Sequence, residues 1–126
     1  MKRADVITTV SPHWSRLYGW KWIPNMVELS EIRGVKPADE SYLLFVGRDD
    51  LVKDYPLFRR IAREAYEKLG IKSLALGVVR GDTEFLKHAK VAWEHVISFM
   101  KSAHVLVITS RYEGFPTTLL EAWASG

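Results

Sequence analysis

The sequence has no cysteine, which excludes a disulfide framework and any thiolate metal site and permits a reducing compartment. It has no apolar run near the roughly 18 uninterrupted residues that a membrane span needs. The opening Met1-Lys2-Arg3-Ala4-Asp5 has a basic pair, but an acid and several threonines follow, a poor match to a signal peptide. Neither G-x-G-x-x-G nor G-x-x-x-x-G-K-[ST] occurs, so dinucleotide and P-loop readings lack their fingerprints. Internal repeats and low-complexity tracts are also missing. An acidic excess is lacking too: 18 Lys and Arg stand against 15 Asp and Glu, for a net charge of +3. That mild basic balance suits a polyphosphate substrate or an anionic membrane surface, although surplus cations are commonly a solvated surface.

What is present is enough for one domain with a real core: 126 residues, 48% apolar and 26% charged. The pattern alternates strands and helices, which predicts a doubly wound α/β unit. Val6–Val10 is β-branched, and Ser11-Pro12 reads as an N-cap followed by proline at the first helical position. A short helix over His13–Tyr18 would close at Gly19, with strand-like alternation at Trp20, Trp22 and Ile23. Residues 30–41 are polar, contain Gly34 and Pro37, and read as a linker or ordered surface loop. Tyr42–Val46 is a buried strand ending on Gly47. Pro56–Leu69 is a helix with Leu57, Ile61, Ala65 and Leu69 on its apolar face and Gly70 past its end. Its other side carries Arg59, Arg60, Arg63 and Lys68, interrupted by Glu64 and Glu67, and reads as a solvated face rather than a nucleic-acid surface. A strand over Ser73–Val79 follows, then a charged helix over Asp82–Ala89, a short strand over Lys90–Trp93 and a helix over Glu94–Ala103.

The chemistry gathers in the last stretch. His104–Thr109 reads as a strand buried on both faces. Gly114 permits a tight turn, Pro116 suits the start of a helix, and Leu119, Leu120 and Trp123 recur at helical spacing. A helix start offers free amides and a favourable dipole to an anion, here at Thr117 and Thr118, whose hydroxyls add donors. Glu113 and Glu121 suit neutral vicinal hydroxyls on the same ligand. Taken singly, Glu121 is an ordinary first-turn acid and Glu113 a solvated loop residue. A second constellation, Gly47-Arg48-Asp49-Asp50-Leu51-Val52-Lys53, leaves the first strand of the main unit. Arg48 offers fork-like phosphate contacts and Lys53 a point charge, a pair suited to a diphosphate. Asp49 and Asp50 are too few ligands for a metal site. The histidines have no partners at ligand spacing and read as structural.

Glu113-Gly114-Phe115-Pro116-Thr117-Thr118-Leu119-Leu120-Glu121-Ala122-Trp123-Ala124-Ser125-Gly126 resembles the E-x7-E motif of retaining nucleotide-sugar glycosyltransferases, in particular glycosyltransferase family four of the GT-B fold. Gly47–Lys53 resembles that family's G-R-x-x-x-x-K element. Ile23-Pro24-Asn25-Met26-Val27-Glu28 resembles its crossing between domains, with Met26 and Glu28 replacing the usual Gly and Asp. The resemblance implies a Rossmann-like parallel sheet with flanking helices, part of the C-terminal, donor-binding domain. Residues 1–29 would be the end of an acceptor domain and the crossing, 30–41 a linker, and 42–126 the nucleotide-sugar-binding unit, left incomplete. It further implies transfer of a sugar from a nucleotide-diphosphate sugar with retention, without a metal or other cofactor. Arg48, Lys53 and Glu113 would be catalytic. Gly47, Gly114, Phe115, Pro116, Thr117, Thr118 and Glu121 would bind substrate, with Glu121 on the ribose hydroxyls. Expected partners are the nucleotide sugar and an acceptor that is a glycan, a lipid or a small molecule, and no nucleic acid. The expected location is cytoplasmic or peripheral at a membrane surface. The chain is short for a whole enzyme of this kind, so a fragment, self-association or a completing subunit is expected. The rival reading is a non-catalytic nucleotide-binding or partner-binding module derived from such an enzyme.

Overall fold

The computed structural model describes residues 4–126; the leader reading of residues 1–3 lies outside them. Two parallel sheets form. A small one pairs β1 (Thr8–Thr9) with β2 (Lys21–Trp22) across α1 (Pro12–Tyr18). As the sequence predicts, Ser11 caps α1 by accepting the Trp14 amide, and Gly19 ends it in the left-handed region.

The main sheet has four parallel strands in the order β5-β4-β3-β6: β5 (Leu86–Ala89), β4 (Ser73–Leu76), β3 (Leu43–Val46) and β6 (Val105–Leu106). Near-continuous apolar runs make β3 and β4 its centre, covered on both faces. One face packs Leu43, Phe45, Ala75 and Leu86 against Tyr55, Phe58 and Ala62 of α3 (Tyr55–Leu69). The opposite face packs Leu44, Leu74 and Leu76 against Ile97 and Met100 of α4 (Trp93–Ser102) and Ile32 of α2 (Leu29–Gly34). Ala122 and Ala124 of α5 (Thr117–Ser125) join that second layer. This is the expected α/β arrangement of a parallel sheet with helices on both sides. No described helix is long and apolar enough to cross a membrane.

Several local expectations are corrected. Residues 30–34, read as the start of a linker or surface loop, belong to helix α2, because Glu28 caps the helix by accepting from Ser30 and Ile32 is fully buried. The charged stretch at 82–89 is not a helix: Leu86–Ala89 is strand β5, paired with Ser73–Leu76. Sheet pairing along β4 overrides the local helical tendency of a charged segment. Residues 90–92 are loop rather than strand. The buried face of α3 is centred on Tyr55, Phe58 and Ala62; of the predicted row, Ile61 and Ala65 pack at the edge of that cluster, while Leu69 is 70% exposed. Aromatic stacking of Phe45 on Phe58 (4.9 Å between centroids) turns the helix by its larger side chains. Nor is β6 buried on both faces: it pairs with β3 only, and Val105 is 54% exposed. Trp123 points to solvent while its small neighbours Ala122 and Ala124 make the packing contacts.

Candidate functional site

The chain builds β3, then β4 and β5 to one side of it, and returns to lay β6 on the other. The order therefore reverses between β3 and β6, and in open parallel sheets the crevice outside the carboxyl ends of the strands at such a reversal is where ligands bind. Leaving β3 is the loop of residues 47–54; leaving β6 is the loop of residues 107–116. These are the two stretches singled out in the sequence.

Four side-chain and backbone bonds lock them together. Lys53 Nζ lies 2.5 Å from Glu113 Oε1. The Thr109 hydroxyl donates to the Lys53 carbonyl (2.7 Å), the Arg111 amide to the Val52 carbonyl (2.8 Å), and Arg111 Nε to Asp54 Oδ2 (3.1 Å). Asp54 itself sits at φ 47°, in the left-handed region that a short polar side chain tolerates. There it caps α3 by accepting the Leu57 amide.

Lys53 and Glu113 are each about three-quarters shielded, with 23% and 25% of the side chain exposed. Burial pushes the Glu113 carboxyl up. The hydrogen bonds from Lys53 and from Ser110 (2.6 Å), with the ammonium charge, outweigh it and hold the pKa below the ordinary carboxylate value. Arg48 does not join this contact. Its guanidinium is largely exposed and pairs with Asp50 (3.0 Å), whose other oxygen accepts the Lys53 amide (2.8 Å). That amide bond, helped by the Arg48 charge and opposed by desolvation, lowers the Asp50 pKa. Asp49 is held by Arg80. Both aspartates are thus engaged by cations, and no cluster of three or more His, Asp or Glu arranged for a metal occurs among the described residues.

Glycine has different duties here from those the sequence suggested. Gly114 is not at positive φ. It is close approach that its lack of a side chain serves, since a Cβ would sit 3.3 Å from Val10 Cγ2. The left-handed position is Gly77, at φ 90°, where a Cβ would meet the Gly47 carbonyl oxygen at 2.7 Å. Gly47 and Gly77 lie side by side at the ends of β3 and β4, and the Gly47 amide donates to Leu76 (2.9 Å). Pro116 is the N-cap of α5 rather than its first residue, and no side chain caps the helix there. The first-turn amides of Thr117 and Thr118 have no intrahelical acceptor, as in any helix start.

Glu121 stands apart from Glu113. It is half-buried, and its Oε1 accepts from Trp93 Nε1 at 2.8 Å. Two supporting residues were missed in the sequence. Trp93, at the start of α4, orients Glu121. Asn25 donates to the Phe115 carbonyl at 2.7 Å across 90 residues, tying the crossing segment to the loop before α5. Asn25 lies inside a stretch already recognised by resemblance, which was the only available signal for it.

With this geometry in place, comparison with known families gives one finding. Residues 71–126 match the family model of the glycosyl transferases, group 1. The match takes in β4 through α5, with Glu113 and Glu121, and supports both that family and a role in glycosyl transfer. The loop of residues 47–53 lies before the matched segment of this glycosyl transferase group 1 match. No curated protein matches the chain.

Proposed function

We propose that the chain is the donor-binding part of a retaining glycosyltransferase that uses a nucleotide-diphosphate sugar. The observation that carries this reading is the Lys53–Glu113 contact at the reversal point of the sheet, which sets a cation suited to a phosphate beside a carboxylate suited to sugar hydroxyls. Entry of the donor would separate the pair. Lys53 would turn to the diphosphate, joined by Arg48, and Glu113 would be left to accept hydroxyls of the transferred sugar. The amides of Thr117 and Thr118 would hold a phosphate oxygen at the start of α5. Glu121, pre-oriented by Trp93, would accept from the ribose with its second oxygen. In the transfer itself the anomeric carbon–phosphate oxygen bond breaks and the bond to the acceptor oxygen forms on the same face. The acceptor proton passes to the leaving phosphate oxygen. The protein contributes position and charge stabilisation, without a nucleophile of its own and without a metal ion.

Titration of the labelled chain with nucleoside diphosphates, without magnesium, tests this. Amide shifts are expected over 47–53 and 114–121, at affinity no better than high micromolar, since each hydrogen bond to a charged group supplies roughly 1.5–3 kcal/mol. An absence of shifts in both loops at millimolar ligand would overturn the assignment.

A further inference from the structure

The arginines on the outward side of α3 look in sequence like a solvated face, but tertiary folding brings two more guanidiniums to them. Arg80, from the loop after β4, and Arg111, from the loop after β6, line one groove of about 660 Å3 with Arg59, Arg60 and Arg63. The groove's carboxylates are Asp54 and Glu64, leaving an excess of positive charge. Asp54 is occupied by Arg111 and Glu64 by Lys68 at 2.9 Å. Arg59, Arg60 and Arg63 form no ion pair among the described residues. Arg80 and Arg111 are instead pre-positioned. Asp49 and the face of the Tyr55 ring hold the first, with the guanidinium 5.5 Å from the ring centroid, and Asp54 holds the second.

A smaller cavity of about 280 Å3 continues the groove, sharing Tyr55, Arg59 and Arg80 and adding Thr83 and His88. His88 is almost wholly enclosed, with 4% of its side chain exposed. Its Nε2 is 2.6 Å from the Tyr55 hydroxyl, while Nδ1 is buried without a hydrogen-bond partner. Nδ1 lies 3.4 Å from Asp82 Oδ1 without the alignment of a hydrogen bond. The Tyr55–His88 contact forms the inner wall of this smaller cavity, and Arg59 and Arg80 line it as well.

We infer that this groove is a second phosphate-binding site, distinct from the Lys53–Glu113 crevice and on the α3 face of the sheet. Glu121 and Trp93 belong to helices packed on the opposite face of the sheet. Planar guanidiniums from three elements favour a doubly charged phosphate group held by forked contacts over a single carboxylate. The phosphate belongs to a second ligand, either a soluble phosphate ester or a phospholipid headgroup.

Arginine Nε–H resonances of the intact chain, followed during titration with pyrophosphate, test the site. Those of Arg59, Arg63, Arg80 and Arg111 are expected to shift, and the paired change Arg59→Gln with Arg63→Gln to weaken binding about tenfold or more. Lys53→Ala should leave these shifts in place, which separates this site from the donor crevice. Vesicle flotation with neutral phosphatidylcholine, with and without phosphatidic acid, distinguishes the source. Arginine-dependent flotation with the acidic lipid identifies a headgroup, and pyrophosphate binding without flotation identifies a soluble ester. Shifts reproduced by sodium chloride at equal ionic strength, or absent with both probes, would overturn the inference.

Discussion

Replacing Glu113 by Gln should cost stability at neutral pH and nothing in acid. At 2.5 Å, the attraction to Lys53 is about 2 kcal/mol at the dielectric of water and about 7 at an effective value of 20. Both side chains are about three-quarters shielded, so desolvation consumes most of the larger figure, and a net contribution of about 1–2 kcal/mol remains. The sign of the pH dependence follows from Glu113 having a lowered pKa in the fold. A depressed carboxylate contributes stability above its unfolded pKa and loses it as pH falls through the folded value. Urea unfolding of the parent, Glu113→Gln, Lys53→Met and the double variant should give a coupling of about 1–2 kcal/mol at pH 7. At pH 3, where the unfolded carboxyl is protonated, the coupling should have shrunk markedly. A coupling of equal size at both pH values, or one near zero at pH 7, would refute the assignment of the loop contact as an ion pair.

Removing the side-chain space at Gly77 should be costly: Gly77→Ala places a Cβ on the Gly47 carbonyl at positive φ, and a loss of at least about 2 kcal/mol in thermal unfolding is expected. A change under about 0.5 kcal/mol would show that the two loops relax freely. Asn25→Ala should cost about 1 kcal/mol and raise amide exchange before α5, through loss of the Phe115 tie; exchange unchanged there would contradict that role. Lys53→Ala should weaken nucleoside diphosphates but not monophosphates, whereas Glu121→Ala should weaken both. Equal losses throughout would mean the roles are misassigned. Exposed Val6, Ile7, Leu17, Trp22 and Met26 lie on the segment before α2. Sedimentation at several concentrations should therefore show self-association, and a monomer at every concentration would contradict it.

The sequence by itself determined the α/β character, the N-cap and closing glycine of α1, the glycine that ends α3, and the two loops bearing Gly47–Lys53 and Glu113–Glu121. Those features rest on local chemistry: proline and serine at a helix start, glycine past a helix end, and short apolar runs bounded by breakers. Strand β5 was not legible, because Leu86–Ala89 has no alternation of its own and becomes a strand only through its pairing with β4. The turning of α3 toward Tyr55 and Phe58 depended on what β3 presents across the interface, the Phe45 ring. Arg48 and Lys53 belong together in sequence, yet folding gave Lys53 to Glu113 and Arg48 to Asp50. Asn25 and Phe115, or Arg59 and Arg111, are neighbours only in the tertiary structure. Side-chain partners 50 to 90 residues apart are fixed by strand order and layer packing, which local residue pattern does not encode.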